Sequence, residues 1–414
     1  MVRDRWIECP ITDVFLPNGI KIGPFGSQLK KETLIPYGQY KVYGQENVYE
    51  KDFSIGDRYL EKEHFDKLSS CEIVPGDFVM STMGTIGKCA IVPIGINKGI
   101  MDSHLVRLRF DSKKILPEYL LHLFSDDFTY LKQQTSRLSV GGIMDGLSVG
   151  IVSSLEVSFP ESKDEQLKII SVLSEMDELI NVLEKEIEKK KNIKFEVLQK
   201  LIVGEERLNG YTENWVSINM AKKSKLKARI GWQGLTTAEY LDSGYSYLVT
   251  GTDFEDGHIN WDECHYVTAD RYFQDPNIQL TNGDVLITKD GTIGKVALVD
   301  GLNKPATLNS GVFVVRPINN AYSARFLYYV LESRVFRDFL DMLSAGSTIV
   351  HLYQKDLVNF SFMAPATLDE QEAIASIIYD MDCEIREFED KLHKYKKIKQ
   401  GMMNDLLTGK NRLV

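Results

Sequence analysis

Residues 160–208 read PESKDEQLKIISVLSEMDELINVLEKEIEKKKNIKFEVLQKLIVGEERL, and residues 365–413 read PATLDEQEAIASIIYDMDCEIREFEDKLHKYKKIKQGMMNDLLTGKNRL. The two stretches align without a gap at an offset of 205 residues (365 − 160), and 18 of the 49 paired positions are identical. Self-similarity at a fixed period is the signature of a duplicated architecture. We therefore expect one structural plan to occur twice in the 414-residue chain.

The duplication extends upstream of these stretches. Gly84–Lys88 and Gly291–Lys295 both read GTIGK, and each follows a Gly-Asp pair whose Asp lies seven residues before the first glycine. The sequence therefore predicts four consecutive segments. They are a first globular domain at 1–159, a central long helix at 160–208, a second globular domain at 209–364 and a C-terminal long helix at 365–414.

Two long helices are predicted within the aligned stretches. Lys163–Val203 and Leu368–Gln400 contain neither proline nor glycine. Asp164 and Asp369 stand where a helix N-cap accepts backbone N–H bonds. Glycines that tolerate a left-handed terminal conformation follow each helix. About 40 residues at about 1.5 Å each give a rod of about 60 Å.

Each predicted helix carries an apolar stripe with steps of three and four residues, which is the pattern of a heptad seam. Each stripe could instead pack against its own globular domain. Two seams of matching length can bury each other, so we favour an antiparallel coiled-coil pair. The predicted seam residues are Ile169, Leu173, Met176, Ile180, Leu183, Ile187, Ile374, Ile378, Met381, Ile385, Phe388 and Leu392.

The globular domains contain short β-branched or alternating runs punctuated by glycines, a pattern typical of strands and turns. Each domain also contains one helical stretch, at residues 118–132 and 324–343. The predicted fold class is mixed α/β: two tandem domains, each a short twisted β-sheet plus helices, with two long antiparallel helices between them. The tandem copies predict a pseudo-twofold internal repeat.

The GTIGK segments resemble half of a phosphate-binding loop. That motif requires an earlier glycine and a Ser or Thr after the lysine, whereas Cys89 and Val296 stand there. Nucleotide binding is therefore disfavoured, and we predict a tight turn between two strands. The lysine after the turn remains free to face a phosphate backbone.

Charge is unevenly distributed. The chain has 49 Lys and Arg against 59 Asp and Glu, a net charge of −10, which excludes a globally basic DNA binder. The run Lys222–Arg229 nevertheless has five basic residues in eight and no acidic one. It is either a solvated strand or loop or a phosphate-contacting surface. The predicted DNA-binding residues are Lys30, Lys31, Gln45, Lys88, Lys222, Lys223, Lys225, Lys227, Arg229, Gln233, Lys289 and Lys295.

No catalytic constellation is recognised, and an enzyme acting alone is disfavoured. The scattered histidines and cysteines do not show the ligand spacing of a metal site. The five cysteines are interpreted as reduced thiols of a cytoplasmic protein. No stretch is long and apolar enough to span a membrane.

The complete set of features resembles the specificity (S) subunit of type I restriction-modification systems. The resemblance rests on the duplicated layout, the two GTIGK turns, the Pro…Asp-Glu-Gln entry to each helix and the endings 201–208 and 406–413. It covers essentially the whole chain. It implies that the globular domains are target-recognition domains, each reading one half of a bipartite site in double-stranded DNA.

The resemblance also implies a complex. The helix pair would fix the gap between the half-sites and dock two adenine methyltransferase (modification) subunits, with motor-nuclease (restriction) subunits as possible further partners. The chain itself would carry no cofactor, because S-adenosylmethionine would be bound by the methyltransferase subunits. Two alternatives stay open: a two-headed coiled-coil scaffold that binds only protein, and a self-sufficient methyltransferase.

Overall fold

The computed structural model describes residues 6–138, 146–230, 234–344 and 351–413. It divides into two compact units, which we call unit 1 (Met1–Glu184 with Asp390–Val414) and unit 2 (Lys185–Glu389). Each unit combines β-sheets, short helices and parts of two long helices. The predicted class, mixed α/β with two tandem copies and two long helices, is confirmed.

Unit 1 contains two four-stranded sheets and a two-stranded one. Its strands are β1 (Trp6–Pro10), β2 (Phe15–Ile22), β3 (Tyr40–Tyr43), β4 (Tyr59–Leu60), β5 (Glu72–Ile73), β6 (Phe78–Ser81), β7 (Cys89–Ile91), β8 (Gly99–Met101), β9 (Leu105–Phe110) and β10 (Glu156–Pro160). The sheet orders are β2-β9-β6-β7, β4-β3-β8-β5 and β1-β10. Only β3 and β8 pair in parallel among these described strands.

The short helices of unit 1 are α1 (Gln45–Tyr49), α2 (Lys62–Lys67), α3 (Pro117–Leu123), α4 (Tyr130–Leu138) and α5 (Val149–Ser153). The long helix α6 (Lys163–Val203) begins in unit 1 and ends in unit 2. Its bounds match the predicted stretch because proline and glycine are absent between them.

Unit 2 repeats this plan. Its strands are β11 (Val216–Asn219), β12 (Ser224–Lys227), β13 (Ser246–Val249), β14 (Phe254–Glu255), β15 (His258–Ile259), β16 (His265–Val267), β17 (Val285–Thr288), β18 (Val296–Leu298), β19 (Ala306–Leu308), β20 (Val312–Pro317) and β21 (Ser361–Ala364). The sheet order β12-β20-β17-β18 is the counterpart of β2-β9-β6-β7. The other sheets are β16-β13-β19, β14-β15 and β11-β21.

The helices of unit 2 are α7 (Met220–Lys223), α8 (Ala269–Phe273), α9 (Ala324–Glu332) and α10 (Arg334–Ser344), and the long helix α11 (Leu368–Leu406) begins here. The helix α11 continues through Gly401 and ends at Leu406, three residues before Gly409, the glycine predicted to stop it (409 − 406). One glycine inside a helix costs only about 1 kcal/mol, which packing of the last turns can offset.

The strand that precedes each GTIGK turn, β6 in unit 1 and β17 in unit 2, is buried on both faces, and its side chains alternate between two cores. In β17, Val285 and Ile287 face the core that holds α9, whereas Leu286 faces the core of the second sheet. Successive side chains of a strand point to opposite sides, so a continuous apolar run supplies both cores. The runs before the GTIGK turns are apolar for this reason.

The prediction of one helical stretch per domain is wrong, because each stretch is divided into two helices. In unit 2 the interruption is Ser333, whose hydroxyl donates to the Val330 carbonyl (2.7 Å) and accepts from the Val335 N–H (3.2 Å). Serine side chains that bond nearby backbone groups compete with the helical ladder. In unit 1 the interruption lies between Leu123 and Tyr130.

The predicted N-caps Asp164 and Asp369 are also wrong by two residues. They lie within the first helical turn, and the hydroxyls of Ser162 and Thr367 accept the backbone N–H bonds instead, each at 3.4 Å. Hydroxyl side chains serve this role as well as carboxylates. The acidic residues still favour the positive end of each helix dipole.

The two long helices are antiparallel in each unit. In unit 1, Asp177 and Glu184 of α6 pair with Lys399 and Lys396 of α11, so the numbers rise on one helix and fall on the other. In unit 2, Lys190 and Lys194 of α6 pair with Glu384 and Asp382 of α11 in the same descending order.

None of the twelve predicted seam residues is exposed. At the start of each long helix, both predicted packing arrangements occur at once. Ile169 and Leu173 lie in one core with the last turns of α11 and the first sheet of unit 1. Ile374 and Ile378 lie in one core with the last turns of α6 and the sheet β12-β20-β17-β18. The stripe at each start therefore contacts both the opposite helix and a globular domain.

Candidate DNA interface

The basic run of unit 2 follows one edge of a sheet. Among the described strands β12 pairs with β20 alone, and its residues alternate between buried and exposed. Ser224 and Leu226 point inward, so Lys225 and Lys227 point to solvent. The exposed Lys222 belongs, with Lys223, to α7 immediately before the strand. Four exposed ammonium groups therefore lie within six residues.

Arg229 does not share this exposed face. Its side chain is 2% exposed, and its Nε donates to the Leu308 carbonyl at 2.8 Å. Burial, together with the neighbouring Arg271, lowers the pKa of this guanidinium. A surface contact to phosphate is not available to Arg229, so we withdraw it from the predicted set. Gln233 lies outside the described residues.

The GTIGK segments are tight turns that connect antiparallel strands, as predicted. In unit 2 the Thr288 hydroxyl closes the turn, because it donates to the Thr292 carbonyl (2.6 Å) and accepts from the Lys295 N–H (2.9 Å). Gly291 and Gly294 have φ of +70° and +79°, which glycine adopts without strain. Ser81 closes the turn of unit 1 in the same way.

The lysines beside the turns differ in availability. Lys88 pairs with Asp126, so part of its charge is neutralised locally. The ammonium of Lys289 lies over the Phe313 ring, 5.5 Å from the centroid, and the side chain is half-buried. Lys295 is exposed and has no ion-pair partner within the described ranges. Of the three, Lys295 is the best placed to contact an anion.

The candidates of unit 1 lie on two separate segments. Lys30 and Lys31 are exposed at the start of a single 3-10 turn, and neither forms an ion pair with a carboxylate in the described part of the chain. Gln45 is the first residue of α1, and its amide donates to the Met83 carbonyl at the GTIGK turn. Gln45 therefore braces the turn through one amide hydrogen.

Sequence reasoning missed a polar cluster beside the turn of unit 2. His351 Nδ1 lies 2.6 Å from Asp290 Oδ1, and Tyr353 is 53% exposed next to it. The Lys355 ammonium lies over the Tyr353 ring at 5.1 Å. The Leu352 N–H donates to the Lys289 carbonyl at 2.8 Å and so fixes this segment against the turn. Residues 61 positions apart meet here, and no sequence signal joins them.

The described residues contain no group of three or more His, Cys, Asp and Glu side chains arranged to hold a metal ion. All five cysteines carry free thiols. Within the same described ranges, no helix has both the length and the apolar composition needed to cross a lipid bilayer.

Two tandem α/β domains joined by long antiparallel helices, each with basic side chains around a strand-turn-strand element, define a two-module binding protein. The family model described as the type I restriction modification DNA specificity domain matches the chain twice, at residues 20–192 and 207–399. The chain therefore belongs to this family of type I restriction-modification specificity subunits, whose function is DNA recognition.

Known proteins agree with this assignment. The specificity subunit of the type I restriction enzyme MjaVIII from Methanocaldococcus jannaschii is 25% identical over 368 residues, which cover 84% of this chain and 83% of that protein. The type I restriction-modification S subunit from M. genitalium has the same fold, with a TM-score of 0.60 at 16% identity over 97% of this chain and 96% of that chain. A further structure, from work on complex assembly and conformational transition of the type I system, has a TM-score of 0.58 at 16% identity and covers 98% of each chain.

Proposed function

We propose that the chain is the sequence-specific DNA-recognition subunit of a type I restriction-modification complex, and that each globular domain reads one half of a bipartite site. The observation that carries the proposal is the double family match, together with one four-stranded sheet of the same order in each unit. The exposed lysines of β12 and α7 support contact with the DNA backbone. Residues 1–159 and 209–364 are the proposed recognition domains.

The helix pair is proposed to set the spacer between the half-sites. The 41 residues of α6 correspond to about 60 Å of helix. Successive major-groove faces of DNA lie about 34–36 Å apart, so a rod of this length suits two readers on one duplex. The spacer would then follow from helix length, and the half-sites from the recognition domains.

The chain is proposed to be non-catalytic and to work with two methyltransferase subunits that dock on the helices. Those subunits would bind S-adenosylmethionine and transfer its methyl group to adenine. Motor-nuclease subunits are the further partners of the proposed complex. Adenine methyltransferases carry an Asn/Asp-Pro-Pro-aromatic signature, and the nearest match in this sequence, Asp275-Pro276-Asn277, lacks the second proline, which supports this division of labour.

A methylation map tests the proposal directly. The chain is co-expressed with its methyltransferase, and host DNA is sequenced by a method that detects methyl-adenine. We expect a split motif with a fixed unread gap, which the methyltransferase alone does not produce. A well-folded complex that yields no new motif would contradict the proposal and favour the scaffold alternative.

A further inference from the structure

A buried lysine interrupts the apolar seam of unit 1. Lys399 is 7% exposed, and its ammonium pairs with Asp177 Oδ1 of α6 at 2.6 Å. It also pairs with Asp127, which lies in the loop between α3 and α4. Burial opposes the charge of this lysine, but the hydrogen bonds to Asp127 and Asp177 raise the pKa of Lys399. One ammonium thus joins two helices and the globular domain.

Unit 2 contains the equivalent arrangement. Lys194 lies 205 residues before Lys399, and its ammonium is 2.5 Å from Asp382 Oδ1 and 3.6 Å from Glu332 Oε2. Asp382 is the repeat counterpart of Asp177, and it also accepts a hydrogen bond from the Tyr329 hydroxyl at 2.8 Å. As in unit 1, one lysine contacts a carboxylate of the opposite helix and a carboxylate of the domain, here Glu332 at the end of α9.

The domain carboxylates of the two arrangements are not repeat counterparts. The N–H groups of Leu116 and Ser323 bind the equivalent Gln166 and Gln371 side chains, which aligns the two domains at this point. Asp127 lies 11 residues after Leu116 (127 − 116), whereas Glu332 lies 9 after Ser323 (332 − 323). Different sequence positions therefore supply a carboxylate to the same lysine, so the contact does not follow from duplication alone.

These contacts restrict how the helices and the domain can be arranged. A lysine in a helix–helix seam loses hydration and regains interactions only where its carboxylates are placed to receive it. A single polar seam residue is known to select one register over others. A shift of either helix, or of the domain along it, would deprive the buried Lys399 ammonium or the half-buried Lys194 ammonium of one of its partners.

We propose that Lys194 and Lys399 are positioning residues that hold each recognition domain at one register on the helices and thereby make the spacer of the DNA site strict. This inference rests on the proposed function, because the spacer is a property of the bipartite site. The lysines touch no DNA in this proposal and act through the domains that they anchor.

The chain offers matched controls for this proposal. Lys396 pairs with Glu184 at 2.6 Å, and Lys191 pairs with Glu389 at 2.7 Å. Both pairs also link the two helices. Lys191, Lys396 and Glu184 are exposed and Glu389 is half-buried, and within the described residues neither lysine forms an ion pair with a domain carboxylate. Loss of such surface pairs has little energetic effect.

The test compares Lys194→Met/Lys399→Met with the control Lys191→Met/Lys396→Met. Methionine keeps helix propensity and length. It removes one partner of each ion pair and leaves the carboxylates without their cation, so we expect it to lower stability, and a milder variant controls for that loss. Each complex methylates a DNA library in which the two half-sites are separated by the native spacer or by one base pair more or fewer. In Lys194→Met/Lys399→Met, but not in the control, we expect methylation at the altered spacers to rise about tenfold relative to methylation at the native spacer. This corresponds to a loss of about 1.4 kcal/mol of discrimination between spacers.

If methylation of Lys194→Met/Lys399→Met depends on spacer length as in the wild-type complex, the inference is overturned. A wild-type complex that methylates no bipartite motif would instead contradict the proposed function. Amide hydrogen exchange of the chain separates the two outcomes, because it needs no partner. We expect faster exchange at residues 124–129 and 330–334 in Lys194→Met/Lys399→Met only. Equal exchange in this variant and in the control would refute the positioning role of the two lysines.

A milder variant guards against a folding defect. Asp127→Asn removes one exposed carboxylate and leaves the Lys399–Asp177 contact in place. We expect it to relax the spacer in the same direction by a smaller factor. A spacer profile identical to wild type in this folded variant would also count against the proposal.

Discussion

At the scale of single residues, the Gly-Asp pairs that precede the two GTIGK turns have a structural role. Asp284 is buried and accepts two hydrogen bonds from Arg316 of β20, at 2.7 Å from Nε and 2.5 Å from Nη2. It also accepts the Thr281 N–H at 2.8 Å. Asp77 and Arg109 form the same pair in unit 1. A bidentate arginine–carboxylate pair is stronger and more directional than a single ion pair.

We predict that Asp284→Ala lowers the free energy of unfolding by about 2–3 kcal/mol, below the 3–5 kcal/mol typical of a fully buried broken pair because Arg316 is partly exposed. Urea denaturation of the chain measures the change. Asp242→Ala is the control, because Asp242 is exposed and has no ion pair within the described residues. Equal stabilities of the two variants would contradict the structural role.

Also at this scale, the end of β12 at Lys227 separates residues of one basic run. The period of two directs Lys225 and Lys227 outward, whereas Arg229, beyond the end of the strand, enters the interior. Lysines on an edge strand also discourage pairing with a second sheet. Exposure alone therefore fits both a DNA contact and a protected edge, and a binding experiment is needed to distinguish them.

At the scale of elements, β12 and α7 form a surface with four lysines that can be neutralised together. We predict that Lys222→Gln/Lys223→Gln/Lys225→Gln/Lys227→Gln weakens DNA binding and reduces the slope of log affinity against log salt by about 1 for each lysine that contacts phosphate. Binding titrations at several salt concentrations measure both quantities.

The control for this prediction removes the same charge from exposed helix positions. Its substitutions to Gln are at Lys185, Lys189, Lys394 and Lys397. We expect its salt slope to match that of the wild-type chain. An unchanged affinity in the β12/α7 variant would favour the scaffold that binds only protein.

The helix ends form reciprocal joints at the same scale. Arg207, just after α6, pairs with Glu370 in the first turn of α11, and Arg412, after α11, pairs with Glu165 in the first turn of α6. Gly409 has φ of +68°. A Cβ there would lie 2.7 Å from the Trp6 ring, so only glycine fits. Each helix end is therefore held by the start of the other helix.

At the scale of the whole molecule, the proposal that the helix pair sets the spacer predicts how spacer length changes with helix length. Seven residues added to each helix, after Ile187 in α6 and after Glu389 in α11, preserve the heptad phase and lengthen the pair by about 10.5 Å. We predict a spacer about three base pairs longer, since base pairs stack about 3.4 Å apart, with both half-sites unchanged. A methylation map of the variant complex measures the motif.

An insertion in one helix only is the control for this variant. It places apolar residues of one seam opposite the wrong residues of the other, so we expect loss of the complex and not a new spacer. A longer helix pair that changes the half-sites but keeps the native spacer would refute the proposal that helix length sets the spacer.

Much of the fold and part of the candidate site could be predicted from local sequence patterns. The offset of 205 predicts the duplication, the missing prolines and glycines predict α6, and the glycines of GTIGK predict tight turns. The periodic pattern does not predict the division of the short helices, because a side chain such as Ser333 competes with the helix for backbone groups. Most of the predicted site residues are basic, and charge in the sequence does not distinguish a lysine on the surface from Arg229 in the interior.

The repeat, the helix lengths and the family can be predicted without the folded structure, because they depend on residue order and on periodic burial. Which charges meet depends on the three-dimensional fold. Lys399 reaches Asp127, 272 positions away, and His351 reaches Asp290 only because the folded chain brings distant segments together. Ion pairing depends on distance and burial in space, and neither quantity is encoded in the separation of residues along the chain.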